Sequence, residues 1–363
     1  MLAALVTTLS ACDAPIEVSP HAAELHRDAL VFDAHTDTLL LSYFRGYDLG
    51  QAHWPPLGFM PWMGHVDLPR AREGGLDAMW LGIVVNPVWG DGGEQVRRWI
   101  ARAQNNLLKP YRDQVELAWS ADDISAISTQ GRIPVQFLIE GAHGLGTDTT
   151  QALGNLDEFY GLGVRAIGLA HFTNNEYAAS SAASHPHTPG LTAAGKAVVR
   201  RMNALGMAID LAHVHPESFR DTVALSTAPV IVSHTGIAAL KPTFRNLQDW
   251  QIKAVAQTGG VIGVMFACQW LNEEIYPPLD AVVDSMEYLK KMVGAQHVAI
   301  GSDFDGFIWT PRGMRDVRDL PKLTELMVRR GFTDDEIRGI LGGNLLRVLR
   351  EIESQRTVVL PRR

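Results

Sequence analysis

Residues 29–40 read ALVFDAHTDTLL, a stretch that begins as a buried β-strand and then changes character. Ala29, Leu30, Val31 and Phe32 form an apolar run, and Asp33, His35 and Asp37 follow at alternate positions. Side chains two apart on a strand share a face, so His35 and Asp37 point the same way. A strand buried on both faces that ends by aiming an imidazole and a carboxylate at one spot needs a chemical reason for doing so.

Seven more apolar, β-leaning runs follow the first: residues 76–85, 133–143, 164–172, 206–213, 228–235, 259–266 and 297–306. Most are followed by a helix-like segment. TAAGKAVVRRMNALG (192–206) has helical apolar spacing and ends at Gly206, a C-cap residue, while Thr333 and Glu336 stand in capping-box register. Near-continuous apolar strands alternating with helices indicate a parallel sheet covered on both faces. Eight such units predict an α/β fold, a (β/α)8 TIM-type barrel. The alternative, a doubly wound open sheet, would carry a Gly-rich phosphate loop after its first strand, and AHTDTLLLSY has none. No Gly, Ser or Pro linker divides the chain, so residues 21–363 read as a single catalytic domain. The insertion at 43–67, rich in Trp, Pro and His, is expected to drape over the barrel mouth.

Reactive groups of such barrels cluster at the C-terminal ends of the strands. Here those ends read His35 and Asp37 (first strand), Glu140 (third), His171 (fourth), His213 (fifth), His234 (sixth) and Asp303 (eighth). One histidine ending an apolar strand is usually structural; four, with three carboxylates from the same rim, point to a common site. Carboxylates crowded in a pocket raise one another's pKa, and a pair of divalent cations would remove that cost. Nitrogen and oxygen donors without cysteine suit zinc, with manganese, cobalt or iron as substitutes. Glu140 stands between His35 with Asp37 and His213 with His234, the place for a bridging ligand, and water held between two cations ionises near neutral pH.

Lys plus Arg is 32 and Asp plus Glu is 40, a formal net charge of −8, and no basic cluster stands out. This argues against nucleic acid or an anionic membrane surface as a partner. Two cysteines, Cys12 and Cys268, are too few for a disulfide framework. Cys12 ends MLAALVTTLSAC, too short to span a bilayer. Residues 1–20 read either as a lipoprotein signal lacking its usual positive charges or as a tail without function. On the first reading the protein sits in a bacterial cell envelope, lipid-anchored at Cys12 and facing the periplasm; on the second it is cytoplasmic.

With these residues in view, the chain resembles the membrane (renal) dipeptidase family of zinc peptidases, within the amidohydrolase superfamily. The resemblance runs from about residue 28 to 350 on DAHTD, HVDLPRAREGG, IEGAHGLG, AHFTNNEYA, IDLAH, PVIVSHT, FRNLQD, GSDFDG and GGNLLRVL, in family order. It implies two Zn2+, one held by His35, Asp37 and Glu140, the other by Glu140, His213 and His234. It implies further that His171 stabilises the oxyanion, that Arg245 binds the substrate's C-terminal carboxylate, and that Asp303 lies by the bridging water and the substrate's amino group. The implied reaction is hydrolysis of free dipeptides, L-Xaa-L-Xaa and L-Xaa-D-Xaa, by a metal-bridging hydroxide, with a homodimer left open. Two other readings stand beside it: a binuclear amidohydrolase acting on a lactam, lactone or cyclic amide, and a metal-binding scaffold without turnover. The chain departs from the family at Thr173 and Tyr177, where relatives often have Cys and Trp, and Cys268 and Trp270 leave the pocket shape there undecided. His143 reads either as a residue orienting Glu140 or as a packed core histidine. His53, His65, His185 and His187 read as solvated loop residues.

Overall fold

The computed structural model describes residues 15–45, 47–53, 62–183 and 190–362. Among them run nine parallel strands: β1 (Phe32–Thr36), β2 (Ala78–Val84), β3 (Val115–Leu117), β4 (Ile133–Glu140), β5 (Val164–Gly168), β6 (Ala208–Asp210), β7 (Ile231–Thr235), β8 (Val261–Val264) and β9 (Val298–Ile300). Their order is β2-β1-β9-β8-β7-β6-β5-β4, and β2 pairs with β4 from Met79↔Val135 to Val84↔Glu140, which closes the ring. The eight expected runs are its eight staves, and closure excludes the open sheet. The ninth strand, β3, was not expected. It pairs only with the start of β4, Val115↔Ile133 to Leu117↔Val135, and its three residues are too few to show a periodicity.

One apolar cluster takes a residue from every stave: Phe32, Trp80, Leu138, Ala166, Ala208, Ile231, Val261 and Ala299. A cluster fed by all eight strands lies inside the barrel, and Leu345, Val348 and Leu349 of the helix Asn344–Ser354 join it. Two residues further along seven of the eight strands the same face changes character, whereas on β1 the corresponding residue, Ala34, is still apolar. Gly82, Glu140, Gly168, Asp210, Ser233, Gly263 and Gly301 succeed their apolar partners. The interior therefore passes from an apolar layer to a polar, glycine-rich layer in one step, toward the end where the site is built. The glycines there are steric necessities. A Cβ on Gly263 or Gly301 would collide with the Ser233 carbonyl, and one on Gly82 with Asp37 Oδ1.

The outer helices follow the local signals. Ala193–Leu205 ends at Gly206 with φ 66°, and Thr333 and Glu336 exchange the two capping-box hydrogen bonds. No helix of the described residues is long and apolar enough to cross a membrane.

The described parts of the insertion after β1 are tied down at the mouth. Arg70, 2% exposed, donates to Asp67 Oδ2 (2.6 Å), the Tyr47 hydroxyl (2.9 Å) and the Gly64 carbonyl (2.9 Å). Trp62 stacks on Trp309, which follows β9, at 6.1 Å between ring centroids. Two histidines expected in solvent are instead packed here. His65 is buried and trades hydrogen bonds with Asp305: its N–H donates to Asp305 Oδ1 (2.6 Å), and Asp305 N–H donates to its Nδ1 (3.0 Å). His53 is half-buried, stacked on Tyr47 at 3.6 Å, with Nε2 2.8 Å from the Asp48 carbonyl. His65 was misread because its partner lies on a loop 240 residues away, and His53 because the chain turns back to stack its ring on Tyr47. His185, His187 and Cys12 lie outside the described residues.

Candidate metal centre

The seven strand-end residues meet at the polar end of the barrel. Glu140, the last residue of β4, is the hub. Its Oε1 lies 3.2 Å from His213 Nε2, 3.5 Å from His234 Nε2 and 3.7 Å from His35 Nε2, and its Oε2 lies 3.5 Å from His171 Nε2. His35 Nε2 is also 3.4 Å from Asp37 Oδ1 and 3.9 Å from Asp303 Oδ1. The His35 and His234 rings stack at 3.9 Å, and the Nε2 atoms of His213 and His234 stand 3.0 Å apart. All but His171 and Asp303 are buried.

Each position is held by its strand and by hydrogen bonds across the ring. Asp33 Oδ1, fully buried, accepts from the backbone N–H groups of His35 (3.1 Å) and Ser302 (2.9 Å), which joins the end of β1 to the segment after β9. His213 and Asp303 are two of only four non-glycine residues with positive φ among the described residues, at 63° and 64°. Such conformers cost on the order of 1–3 kcal/mol each and persist where the surroundings over-determine them. Here they turn a side chain back over the barrel mouth. Arg245 is 4% exposed and donates from Nη2 to the His234 carbonyl (2.9 Å), so its guanidinium is seated beside the cluster.

The electrostatics are those of carboxylates crowded together in a buried pocket. Burial, then the neighbouring Asp37, drives the Glu140 carboxyl well above its ordinary range. Burial pushes Asp303 up to about 7. Burial alone would lower His35, but the charges of Glu140, Asp37 and Asp303 overcome it and raise that imidazole to about 10. Both effects express one demand, that the carboxylates share a cation. Burial pushes His171 down to about 3, and His213 and His234 also fall well below normal. Burial thus favours the neutral form of those three rings, in which an imidazole can offer a lone pair. Burial likewise lowers Arg245, opposed by Asp303 and Glu140.

The donor set fits a metal. Buried polar atoms without a hydrogen-bond partner include both nitrogens of His35, Asp37 Oδ1 and His213 Nδ1. Orphaned atoms of this kind are expensive unless a cation satisfies them. Three groups have ligand atoms within 4.8 Å of one another: His35, Glu140 and His234; Glu140, His171 and His213; and His35, Asp37 and Asp303. Distance alone does not sort them into the two ligand sets that the resemblance implies, because His234 faces both His35 and His213.

Of the supporting residues, His143 was read in the sequence as orienting Glu140 or as a packed core histidine, whereas Asp210 and Ser233 were not singled out. His143 neither bonds to Glu140 nor is fully buried; its Nε2 lies 2.5 Å from the Val85 carbonyl. Asp210 and Ser233, on neighbouring staves, stand behind His234. The one signal for them was the alternation that puts Asp210 and Ser233 on the inner face of their strands. Tyr177 is fully buried and donates to the Gly146 carbonyl (2.6 Å), and Cys268 is buried, so both serve packing.

Residues 20–360 match the family described as membrane dipeptidase (Peptidase family M19). The chain is 34% identical over 301 residues to the dipeptidase tcpJ of Claviceps purpurea (strain 20.1), spanning 80% of this chain and 70% of that one. It is 32% identical over 301 residues to the dipeptidase aclJ of Aspergillus oryzae, with the same coverage of each chain. Among solved structures, the probable dipeptidase PvdM from Pseudomonas aeruginosa superposes with a TM-score of 0.81 at 26% identity, covering 92% of this chain and 98% of that one. A metallo peptidase from Rhodobacter sphaeroides, liganded with a phosphinate mimic of the dipeptide L-Ala-D-Ala, gives a TM-score of 0.78 at 25% identity, covering 90% and 100%.

Proposed function

Because the chain belongs to the membrane dipeptidase family and is a metallo-dipeptidase, we propose that two zinc ions sit at the end of its barrel and that it cleaves free L-L and L-D dipeptides. One observation carries this reading: a single carboxylate oxygen, Glu140 Oε1, lies between 3.2 and 3.7 Å from three separate imidazoles. His35, Asp37 and Glu140 would hold one ion, and Glu140, His213 and His234 the other, with Glu140 shared. Bound there, the pair of cations supplies Lewis acidity and water that ionises near neutral pH.

The protein's own groups do the rest. Neutral His171, 3.5 Å from Glu140 Oε2, reaches the same space and donates an N–H to the oxyanion of the attacked carbonyl. Asp303, which borders His35, takes up the proton that the attacking water loses and hands it on to the departing amine, returning to its charged form. Arg245 takes the substrate's C-terminal carboxylate, for which a guanidinium fork is the matched partner. With Asp303 at the amino end, the two charges set a length of two residues. A longer peptide would bury one terminus unpaired. The phosphinate-bound Rhodobacter sphaeroides relative favours including a D-residue on the C-terminal side.

The test is zinc-loaded protein assayed against L-L and L-D dipeptides, the same dipeptides with C-terminal amides, tripeptides and a cyclic amide. The expected result is turnover of free dipeptides and loss of turnover on amidation or extension. Tripeptide cleavage at comparable rates would remove the two-residue limit, and preference for a cyclic amide would favour the lactam reading. Residues 21–363 are proposed to form one catalytic domain behind a lipoprotein signal. Mass spectrometry of Cys12 in the mature protein from its own membranes tests the lipid anchor.

A further inference from the structure

Of the three buried imidazoles around Glu140, His234 alone has a side-chain bond behind it. Its Nδ1 lies 2.9 Å from Ser233 Oγ, whereas Nδ1 of His35 and of His213 has no hydrogen-bond partner among the described residues. Ser233 Oγ in turn donates to Asp210 Oδ2 at 2.6 Å. The other Asp210 oxygen, Oδ1, accepts from two backbone N–H groups, Ser233 at 2.8 Å and Ala212 at 3.0 Å. All three side chains are 1% exposed, so water does not compete for these bonds.

A proton count fixes the direction of the chain. A serine hydroxyl has one hydrogen, and here it goes to Asp210. Ser233 Oγ therefore meets the imidazole with a lone pair, and His234 Nδ1 must be the donor. In the neutral ring the other nitrogen, Nε2, is then bare. That is the atom 3.5 Å from Glu140 Oε1. The tautomer is set by groups that never enter the site.

We propose that Asp210 and Ser233 are positioning residues that hold His234 as the Nδ1–H tautomer, presenting Nε2 for zinc, and that the site binds its two ions unequally once this chain is broken. The proposal rests on the two-zinc reading for its consequence, though not for the tautomer itself. Outer partners of metal-bound imidazoles typically change affinity about 10–100-fold when removed. The two substitutions differ in kind. Ser233→Ala leaves Nδ1 without an acceptor and frees the tautomer. Asp210→Asn replaces Oδ2 with an N–H donor, so the Ser233 hydroxyl is released to donate to Nδ1, which turns the Nε2 proton toward the zinc position.

The test has two parts. Nitrogen NMR of 15N-histidine-labelled, zinc-free protein at neutral pH reads the tautomer, with His234→Gln assigning the resonance. Competition against a chromophoric chelator then reads zinc affinity and stoichiometry. Expected for the unsubstituted protein are an Nδ1–H signature for His234 and two bound zinc ions. Ser233→Ala should lose the single-tautomer signature and bind one of its two ions roughly 10–100-fold more weakly; Asp210→Asn should shift toward Nε2–H with at least that loss. Ser233→Thr, which keeps the hydroxyl, should restore both readouts. An Nε2–H tautomer in the unsubstituted protein overturns the proposal, as does unchanged affinity in either folded variant. If Ser233→Ala does not fold, Ser233→Thr and the zinc-free spectrum decide it. If the unsubstituted protein binds no zinc while the tautomer is as expected, the two-zinc reading fails and the orienting chain stands.

Discussion

At Glu140 one side chain answers to four imidazoles, and single substitutions around it have separable outcomes. His171→Ala removes an N–H donor aimed at developing charge. The expected loss is on the order of 10²–10³-fold in kcat, with bound zinc and KM little changed. Steady-state kinetics beside elemental analysis of the same sample checks it; unaltered kcat would end the oxyanion role. Arg245→Met should act differently, raising KM for free dipeptides while leaving the weak hydrolysis of C-terminal amides where it was. Histidines and acids at strand ends were legible in the sequence because each ends an apolar run. His65 was misread, since its partner Asp305 is 240 residues away and joins it only when the loops after β1 and β9 meet.

Strands and loops deliver those residues through close packing that propensity does not reveal. Gly82 lies inside β2, where a side chain would ordinarily strengthen a strand, yet a Cβ there would strike Asp37 Oδ1. Gly82→Ala should therefore displace Asp37, one of the residues proposed to hold a metal. The expected effect is a zinc affinity lower by about 10–100-fold and an overpacking loss of about 1–3 kcal/mol. Chelator competition and denaturant unfolding measure the two; intact affinity would show that Asp37 can swing clear. The eight staves were read correctly from their apolar runs, and β3 was not, because Val115–Leu117 is stabilised by pairing with Ile133–Val135 and not by an apolar run of its own.

Across the whole molecule, charge and proton balance govern stability. Removing the metals leaves Asp37, Glu140 and Asp303 crowded in one pocket, so chelation should lower the melting temperature. Zinc at a hundred times its Kd should add about 2.7 kcal/mol per site, visible as a rise of several degrees. Far from the site, burial between the helices Ala121–Ser128 and Asn344–Ser354 raises the Glu353 carboxyl from 4.5 to about 7, although it accepts the Ala121 N–H at 2.9 Å. A raised carboxyl binds its proton more tightly folded than unfolded. Its contribution is complete below pH 4.5 and is lost as pH rises through about 7. Glu353→Gln should melt higher than the unsubstituted protein at pH 8 and lose that advantage near pH 4; an equal difference at both would refute the linkage.

The parallel α/β alternation, the number of staves and the kinds of donor at their ends were determined by the sequence, because hydrophobic periodicity and residue chemistry are local. Ring closure, the room that Gly82 leaves for Asp37 and the chain from Asp210 through Ser233 to His234 were decided by the tertiary structure. Each depends on which atoms lie opposite one another across neighbouring staves, and no pattern within a single strand records that pairing.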